Sequence, residues 1–278
     1  MTFPSLFVSH GSPMFALDPG ELGPKLTAYG QRLKRPRAVL VMSPHSMART
    51  PTITSGQVLE TVHDFGGFPH ALYRVRYDAP GAPEVAAEVA THLRGLGLPV
   101  QEDPSAGRDH GGWVPMIHLF PEADVPVIQI TQPASPSPLA HLELGRALSP
   151  LRERGILIVG SGSLTHNLYD MGAGPSAGDY AQSFAGWVFR TLADGDLEAL
   201  LNYRTQCPDA RRAHPTDEHF LPLFFAIGAA GADWTHVQRI AGGITNDVLS
   251  MDSFVFGDLE NRVEQLDQVK LDFSEIDG

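Results

Sequence analysis

Three apolar runs, each delivering a histidine beyond its last residue, constrain this chain more than any other feature. Leu6-Phe7-Val8-Ser9 leads into His10-Gly11-Ser12-Pro13, and Ala38-Val39-Leu40-Val41-Met42-Ser43 leads into Pro44-His45-Ser46. Ile156-Leu157-Ile158-Val159 continues through Gly160-Ser161-Gly162-Ser163-Leu164-Thr165 to His166. Short apolar runs bounded by Gly, Pro and Ser read as buried strands. One such histidine would be an ordinary residue in a strand-to-loop turn. Three of them in a shared parallel sheet bring three imidazoles to one edge, where open α/β sheets place their ligands. Such convergence points to a metal site.

The 278 residues, 42% of them hydrophobic, suffice for one sizeable core, and no Ser-, Gly- or Pro-rich linker divides them. A net charge of -12, from 20 basic and 32 acidic residues, argues against nucleic acid or an anionic membrane as partner. Cys207 is the only cysteine, so an intrachain disulfide and a thiolate cluster are excluded, and a metal here takes N and O ligands. The N-terminus shows no basic region of a signal peptide, and the nearly uncharged stretch 220–232 is too short to span a bilayer. The expected setting is cytoplasmic, as a monomer or small homo-oligomer.

Strand and helix signals alternate along the chain. Leu22, Leu26, Tyr29 and Leu33 recur at helical spacing, and Pro83 opens a second helix that runs to about residue 96. Helices are further expected over 114–120, 139–151, 180–192 and 196–203, and strands over 52–54, 125–131 and 253–256. Residues 215–219 read as a helix start, with Thr216 as N-cap and Asp217 and Glu218 in the first turn, although Pro222 would kink that helix or delay it. The fold class is therefore α/β: a single domain over residues 1–257, with a central mixed, largely parallel β-sheet flanked by helices and the metal site at the strand C-terminal ends. Residues 258–278, with seven acidic and two basic side chains, form an acidic C-terminal tail.

The chemistry rests on the histidines. His92, His118, His141 and His236 fall on helical or polar stretches without a supporting motif and read as surface or packing residues; His214 reads as loop, and His70 is open. His10, His45, His63, His110, His166 and His219 each stand within three residues of Gly, Pro, Ser or Asn at an element end. Imidazole suits Fe, Zn, Cu and Ni, and two histidines with a carboxylate form the non-haem Fe(II) pattern. Glu218 and His219 lie side by side. On a helix they would point about 100° apart, so that one faces the site, and which one stays open.

Taken together, Ser9-His10-Gly11-Ser12-Pro13-Met14, Ser43-Pro44-His45, His63-Asp64-Phe65-Gly66-Gly67-Phe68-Pro69, Asp109-His110-Gly111-Gly112-Trp113, Thr165-His166-Asn167-Leu168 and Glu218-His219-Phe220-Leu221-Pro222-Leu223 resemble the class III extradiol dioxygenases of the LigB type, within them the 4,5-DOPA dioxygenase group. The motifs follow the family's order from residue 3 to about 257. The resemblance implies a metal site for Fe(II), with Zn(II) as an alternative occupant, and opening of a catechol ring by O2 beside its hydroxyls. Carried over, His10, His45 and His219 fall on metal ligands, with Glu218 the fallback third ligand. His166 falls on the acid/base and would be a fourth ligand to zinc, and His110 lies near the substrate hydroxyls. Ser46, His63, Phe65, Phe68 and Trp113 are the candidate pocket wall.

Two departures bear on the substrate. Ser46 stands where the group usually carries an aromatic, and the acidic tail is foreign to the pattern. With no evident arginine clamp, an uncharged or zwitterionic catechol is expected; a dianionic one would need Arg49, Arg74, Arg76 or Arg108. The alternatives are a zinc hydrolase using the same histidines and a non-catalytic metal-binding homologue. The hydrolase lacks a phosphate loop and paired catalytic carboxylates in this sequence.

Overall fold

Successive residues of the central strands go to opposite faces of one sheet, and both faces are apolar. In β2 (Ala38–Ala48), Ala38, Leu40 and Met42 enter one core while Val39 and Val41 enter another; in β6 (Ile156–Gly162), Ile156 and Ile158 oppose Leu157 and Val159. This is why these strands read as continuous apolar runs. The computed structural model describes residues 2–174 and 178–258.

The other strands are β1 (Ser5–Ser9), β3 (Thr52–Thr54), β4 (Gln101–Asp103), β5 (Val127–Pro133), β7 (Val237–Ile240), β8 (Ile244–Thr245), β9 (Leu249–Ser250) and β10 (Ser253–Phe256). Eight of them form one sheet in the order β4-β3-β5-β2-β6-β1-β10-β7. Its centre, β5-β2-β6-β1, is parallel throughout; β3 joins β5, and β10 joins β1, in antiparallel fashion. The fold is thus the expected α/β domain on a mixed, mostly parallel sheet.

Helices α1 (Leu22–Arg32) and α3 (His110–Leu119) cover one face. The opposite face carries α2 (Pro83–Gly95), α4 (Pro138–Leu148) and α9 (Pro222–Ala230). Between α4 and α9 the chain adds α5 (Gly178–Ala193), α6 (Leu197–Leu201), α7 (Tyr203–Gln206) and α8 (Ala210–Ala213), which build a further core with Phe7, Phe254 and Phe256. Among the described residues no helix is long and apolar enough to cross a membrane.

Several expected boundaries move, each for a local reason. β2 continues to Ala48 and breaks register against β5 between Ser43 and Met47, so His45 sits on an irregularity inside the strand and not past its end. α3 begins at His110 and not near residue 114, because Asp109 Oδ1 accepts from the Gly112 N–H at 3.0 Å and caps it. Residues 215–219 are turns and not a helix start. The Thr216 hydroxyl donates to Glu218 Oε1 at 2.9 Å and does not cap, and α9 starts at Pro222, whose fixed φ suits the first helical position. The stretch expected over 196–203 divides into α6 and α7, and α4 passes at residue 149 into a 3-10 turn. Of the acidic tail, residues 259–278 lie outside the described residues. Asp258 is buried and accepts from the Tyr29 hydroxyl at 2.7 Å.

α9 is buried on every side, as its uniformly apolar sequence requires. Two close approaches seat it. A Cβ on Gly160 of β6 would stand 2.1 Å from the Pro222 carbonyl oxygen, and one on Gly228 would stand 2.1 Å from the carbonyl oxygen of Leu142 on α4. In a free helix, Gly-to-Ala gains about 1 kcal/mol. Here Gly228→Ala is expected to reverse that sign and cost about 1–3 kcal/mol by overpacking. A urea midpoint unchanged or raised in the variant, at constant m, would show that α4 and α9 do not meet as described.

Candidate metal centre

Neighbouring strands deliver the site. His10 follows β1 directly and donates its backbone N–H to the Gly162 carbonyl at the end of β6, 2.8 Å away. The register break in β2 aims His45 toward the same edge. His219 comes from the turn before α9, and its carbonyl accepts from the Ser163 N–H at 2.9 Å, which ties that turn to the end of β6. As a result His45 Nε2 lies 3.3 Å from His10 Nε2 and 3.3 Å from His219 Nε2.

The far side of each ring is also held. His219 Nδ1 lies 3.1 Å from Glu218 Oε1, and His10 Nδ1 lies 2.9 Å from Ser161 Oγ. His45 Nδ1 faces Asp64 Oδ2 at 3.8 Å. A carboxylate only accepts, so it places the proton of His219 on Nδ1 and leaves the Nε2 lone pair facing its neighbours. Glu218 therefore backs His219.

Two nitrogens on one ion, each at about 2.0–2.1 Å, stand about 2.9–3.4 Å apart at octahedral to tetrahedral angles. The spacing of 3.3 Å fits. His10, His45 and His110 also offer ring nitrogens within 4.8 Å of one another, and the ring nitrogens of His166 and His219 lie within the same distance of each other and of a Glu218 carboxylate oxygen. This donor set of imidazoles flanked by carboxylates, without thiolate, suits a borderline divalent metal.

Burial, reinforced by the neighbouring histidines, holds His10 and His219 well below the ordinary imidazole value. His45 is pulled to about 4 by burial and by His110, against the opposing pull of Asp109 and Asp64. Burial likewise brings His166 to about 4, although Glu218 opposes it. All four rings are neutral near neutral pH, the state in which imidazole binds metal.

His110, at the first position of α3, turns its Nδ1 to both oxygens of Asp64 at 3.0 Å. Burial alone would raise the Asp64 carboxyl, but the ring and backbone N–H of His110 hold it below its ordinary value. Asp109 Oδ2 accepts from Ser46 Oγ at 2.6 Å and from Gln129 Nε2, so Ser46 pins the irregular part of β2 to the cap of α3. The His166 ring lies flat on His219, with centroids 3.4 Å apart and planes 9° from parallel.

Of the expected wall, Phe65 meets His110 edge-on at 5.5 Å and Phe68 at 5.4 Å, and His63 contacts Phe65 at 5.6 Å. Trp113 is fully buried; it stands 5.6 Å from His63 and donates its indole N–H to the Val62 carbonyl. Tyr73, not foreseen, joins this aromatic group 5.4 Å from Phe65. Asp64 was visible only as a motif residue. His214, read as loop, is fully buried and bonds the Leu164 carbonyl at 2.8 Å, two residues before His166.

These low proton affinities predict how a metal enters. An exposed histidine cluster is partly protonated below about pH 6.5 and must release protons to bind. His45, held at about 4, and His10 and His219, held well below the ordinary imidazole value, have almost none to release at pH 6. Zinc uptake at pH 6, followed in weakly buffered indicator solution, is expected to release almost no protons. Release of one proton or more per ion would contradict the assignment.

The profile of the family described as "Catalytic LigB subunit of aromatic ring-opening dioxygenase" matches residues 5–255. A curated relative from Beta vulgaris, "4,5-DOPA dioxygenase extradiol", is 37% identical over 260 residues, covering 91% of this chain and 96% of its own. One of the same name from Escherichia coli (strain K12) is 38% identical over 232 residues, covering 81% and 84%. The crystal structure of the uncharacterized protein JW3007 from Escherichia coli K12 superposes with a TM-score of 0.75 at 32% identity, over 92% of this chain and all (100%) of that one. The histidine-lined edge of this sheet thus sits in a chain that belongs to the LigB family of aromatic ring-opening dioxygenases, oxidoreductases of the extradiol type.

Proposed function

We propose that this dioxygenase opens an uncharged or zwitterionic catechol of the DOPA kind, using Fe(II) held by His10, His45 and His219. The observation that carries this is the 3.3 Å spacing of His45 Nε2 from both other Nε2 atoms. Fe(II), when bound, supplies the one-electron chemistry that couples a catechol to O2. The rest falls to the side chains. His166, neutral and stacked on His219, is placed to accept a phenolic proton. The negative charge of a catecholate, added to that of nearby Glu218, raises the proton affinity of His166 and helps it keep the proton. The aromatic group of His63, Phe65, Phe68 and Tyr73 offers ring faces and edges to a planar substrate and limits access of water.

Two of the four candidate arginines support an uncharged or zwitterionic substrate. Arg108 is fully buried and donates to the Leu59, Tyr77 and Ala79 carbonyls at 3.1, 3.2 and 2.6 Å, so its guanidinium is committed to shaping the loop that carries His63 and Phe65. Arg76 pairs with Asp78 at 3.2 Å. Neither is disposed to clamp a second carboxylate. The names of the Beta vulgaris and Escherichia coli relatives support DOPA as the first substrate to try.

Two expected outcomes follow. His10→Ala, His45→Ala and His219→Ala proteins should each lose metal by elemental analysis, whereas Glu218→Gln should keep the site and weaken it about 10- to 100-fold, as loss of a ligand's carboxylate support does. Full metal in His219→Ala with loss in Glu218→Gln would exchange their roles. Second, after anaerobic reconstitution with Fe(II), O2 uptake should be faster with DOPA or 4-methylcatechol than with protocatechuate. A clear preference for protocatechuate would overturn the substrate assignment, and ring opening without O2 consumption would overturn the reaction.

A further inference from the structure

The loop carboxylate of Asp64 makes more contacts to the site than any role given so far requires. Its Oδ1 accepts the His110 backbone N–H at 2.9 Å and faces the ring Nδ1 at 3.0 Å; its Oδ2 faces the same Nδ1 at 3.0 Å. Oδ2 also stands 3.8 Å from His45 Nδ1. The His110 and His45 rings lie 3.8 Å apart, centroid to centroid, so one carboxylate spans the back of both. The His110 side chain is 7% exposed, and among the described residues Asp64 is the hydrogen-bonding partner of that nitrogen.

From this geometry we infer that Asp64 is a positioning residue for ring opening: it locks His110 in the tautomer that carries its proton on Nδ1 and presents an Nε2 lone pair to the substrate side of the metal site. A carboxylate has no proton to donate, so an imidazole nitrogen facing both of its oxygens must be the donor. The backbone bond fixes the carboxylate relative to the start of α3, and with it the direction of the ring. His110 thereby meets a substrate hydroxyl as an acceptor. In the other tautomer it would offer an N–H there. This rests on the dioxygenase reading, but the tautomer itself can be measured without turnover.

The test compares the full-length protein with Asp64→Asn. The amide oxygen can still accept the His110 backbone N–H, while its NH2 faces Nδ1 and favours the opposite tautomer. Long-range proton–nitrogen NMR of the zinc-loaded and metal-free proteins reads the protonated ring nitrogen of His110 directly. The expected result is Nδ1–H in the parent and Nε2–H in the variant, with zinc content retained. With Fe(II) and 4-methylcatechol, kcat should fall about 10²- to 10⁴-fold with KM little changed, the scale on which a misdirected acid/base histidine acts. Finding Nε2–H in the parent, or no change of tautomer in the variant, would overturn the inference. So would normal turnover after a tautomer change. Loss of turnover that excess Fe(II) restores would assign Asp64 to His45 and the metal alone, and would equally overturn it. If the parent turned over no catechol, the substrate reading would fail while the NMR result still decided the tautomer.

Discussion

Imidazole nitrogens gathered at one point disfavour protonation, and the architecture of this protein forces such an encounter. His45 Nε2 is held 3.3 Å from the Nε2 atoms of two buried histidines, His10 and His219, and the Nδ1 of His219 and of His10 is occupied from behind by Glu218 and Ser161. Burial and mutual proximity deny His10 and His219 protons, while His45 stands on the solvent-facing side. On the proposed assignment, a cation at the meeting point would relieve that crowding. The strand ends, the register break in β2 and the seating of α9 can each be understood as means of holding that arrangement.

The second layer is made of carboxylates. Glu218 backs His219, Asp64 backs His110, and Asp109 joins Ser46, Gln129 and the first turn of α3. None of these oxygens faces the three Nε2 atoms in the contacts described. Each instead fixes a ring or a backbone segment, and charge-assisted bonds of this kind contribute about 1.5–3 kcal/mol apiece. These supports lie on four separate segments gathered at one edge of the sheet: β2, α3, the loop from 59 to 80 and the turn before α9.

Much of this was legible in the sequence, and the division has a physical basis. The parallel centre of the sheet announced itself because strands buried on both faces must be continuously apolar, and His10 and His45 were visible as interruptions of those runs. His219 was in view only jointly with Glu218, since a helix was expected there; the turn that replaces it lets Glu218 fold back onto His219 Nδ1. The pairing of Asp64 with His110 crosses 46 residues and leaves no periodic trace. Ser46 stood out only as a departure from the usual aromatic, and the bond from its hydroxyl to Asp109 left no sign in the sequence. The buried His214 resembled loop because Pro215 follows it; only the packing of Phe184 and Phe220 around it defines its surroundings.

His219 hangs from the leading end of α9, a helix enclosed by the sheet and by α4 through contacts that leave no room for a Cβ. To withdraw its ring, that end of the helix must lift away from Gly160 and Gly162, which opens part of the main core. If His219 holds an ion, as proposed, withdrawing that ligand is coupled to a local opening of this region. The firmness with which the third imidazole is presented then depends on how well one apolar helix is packed.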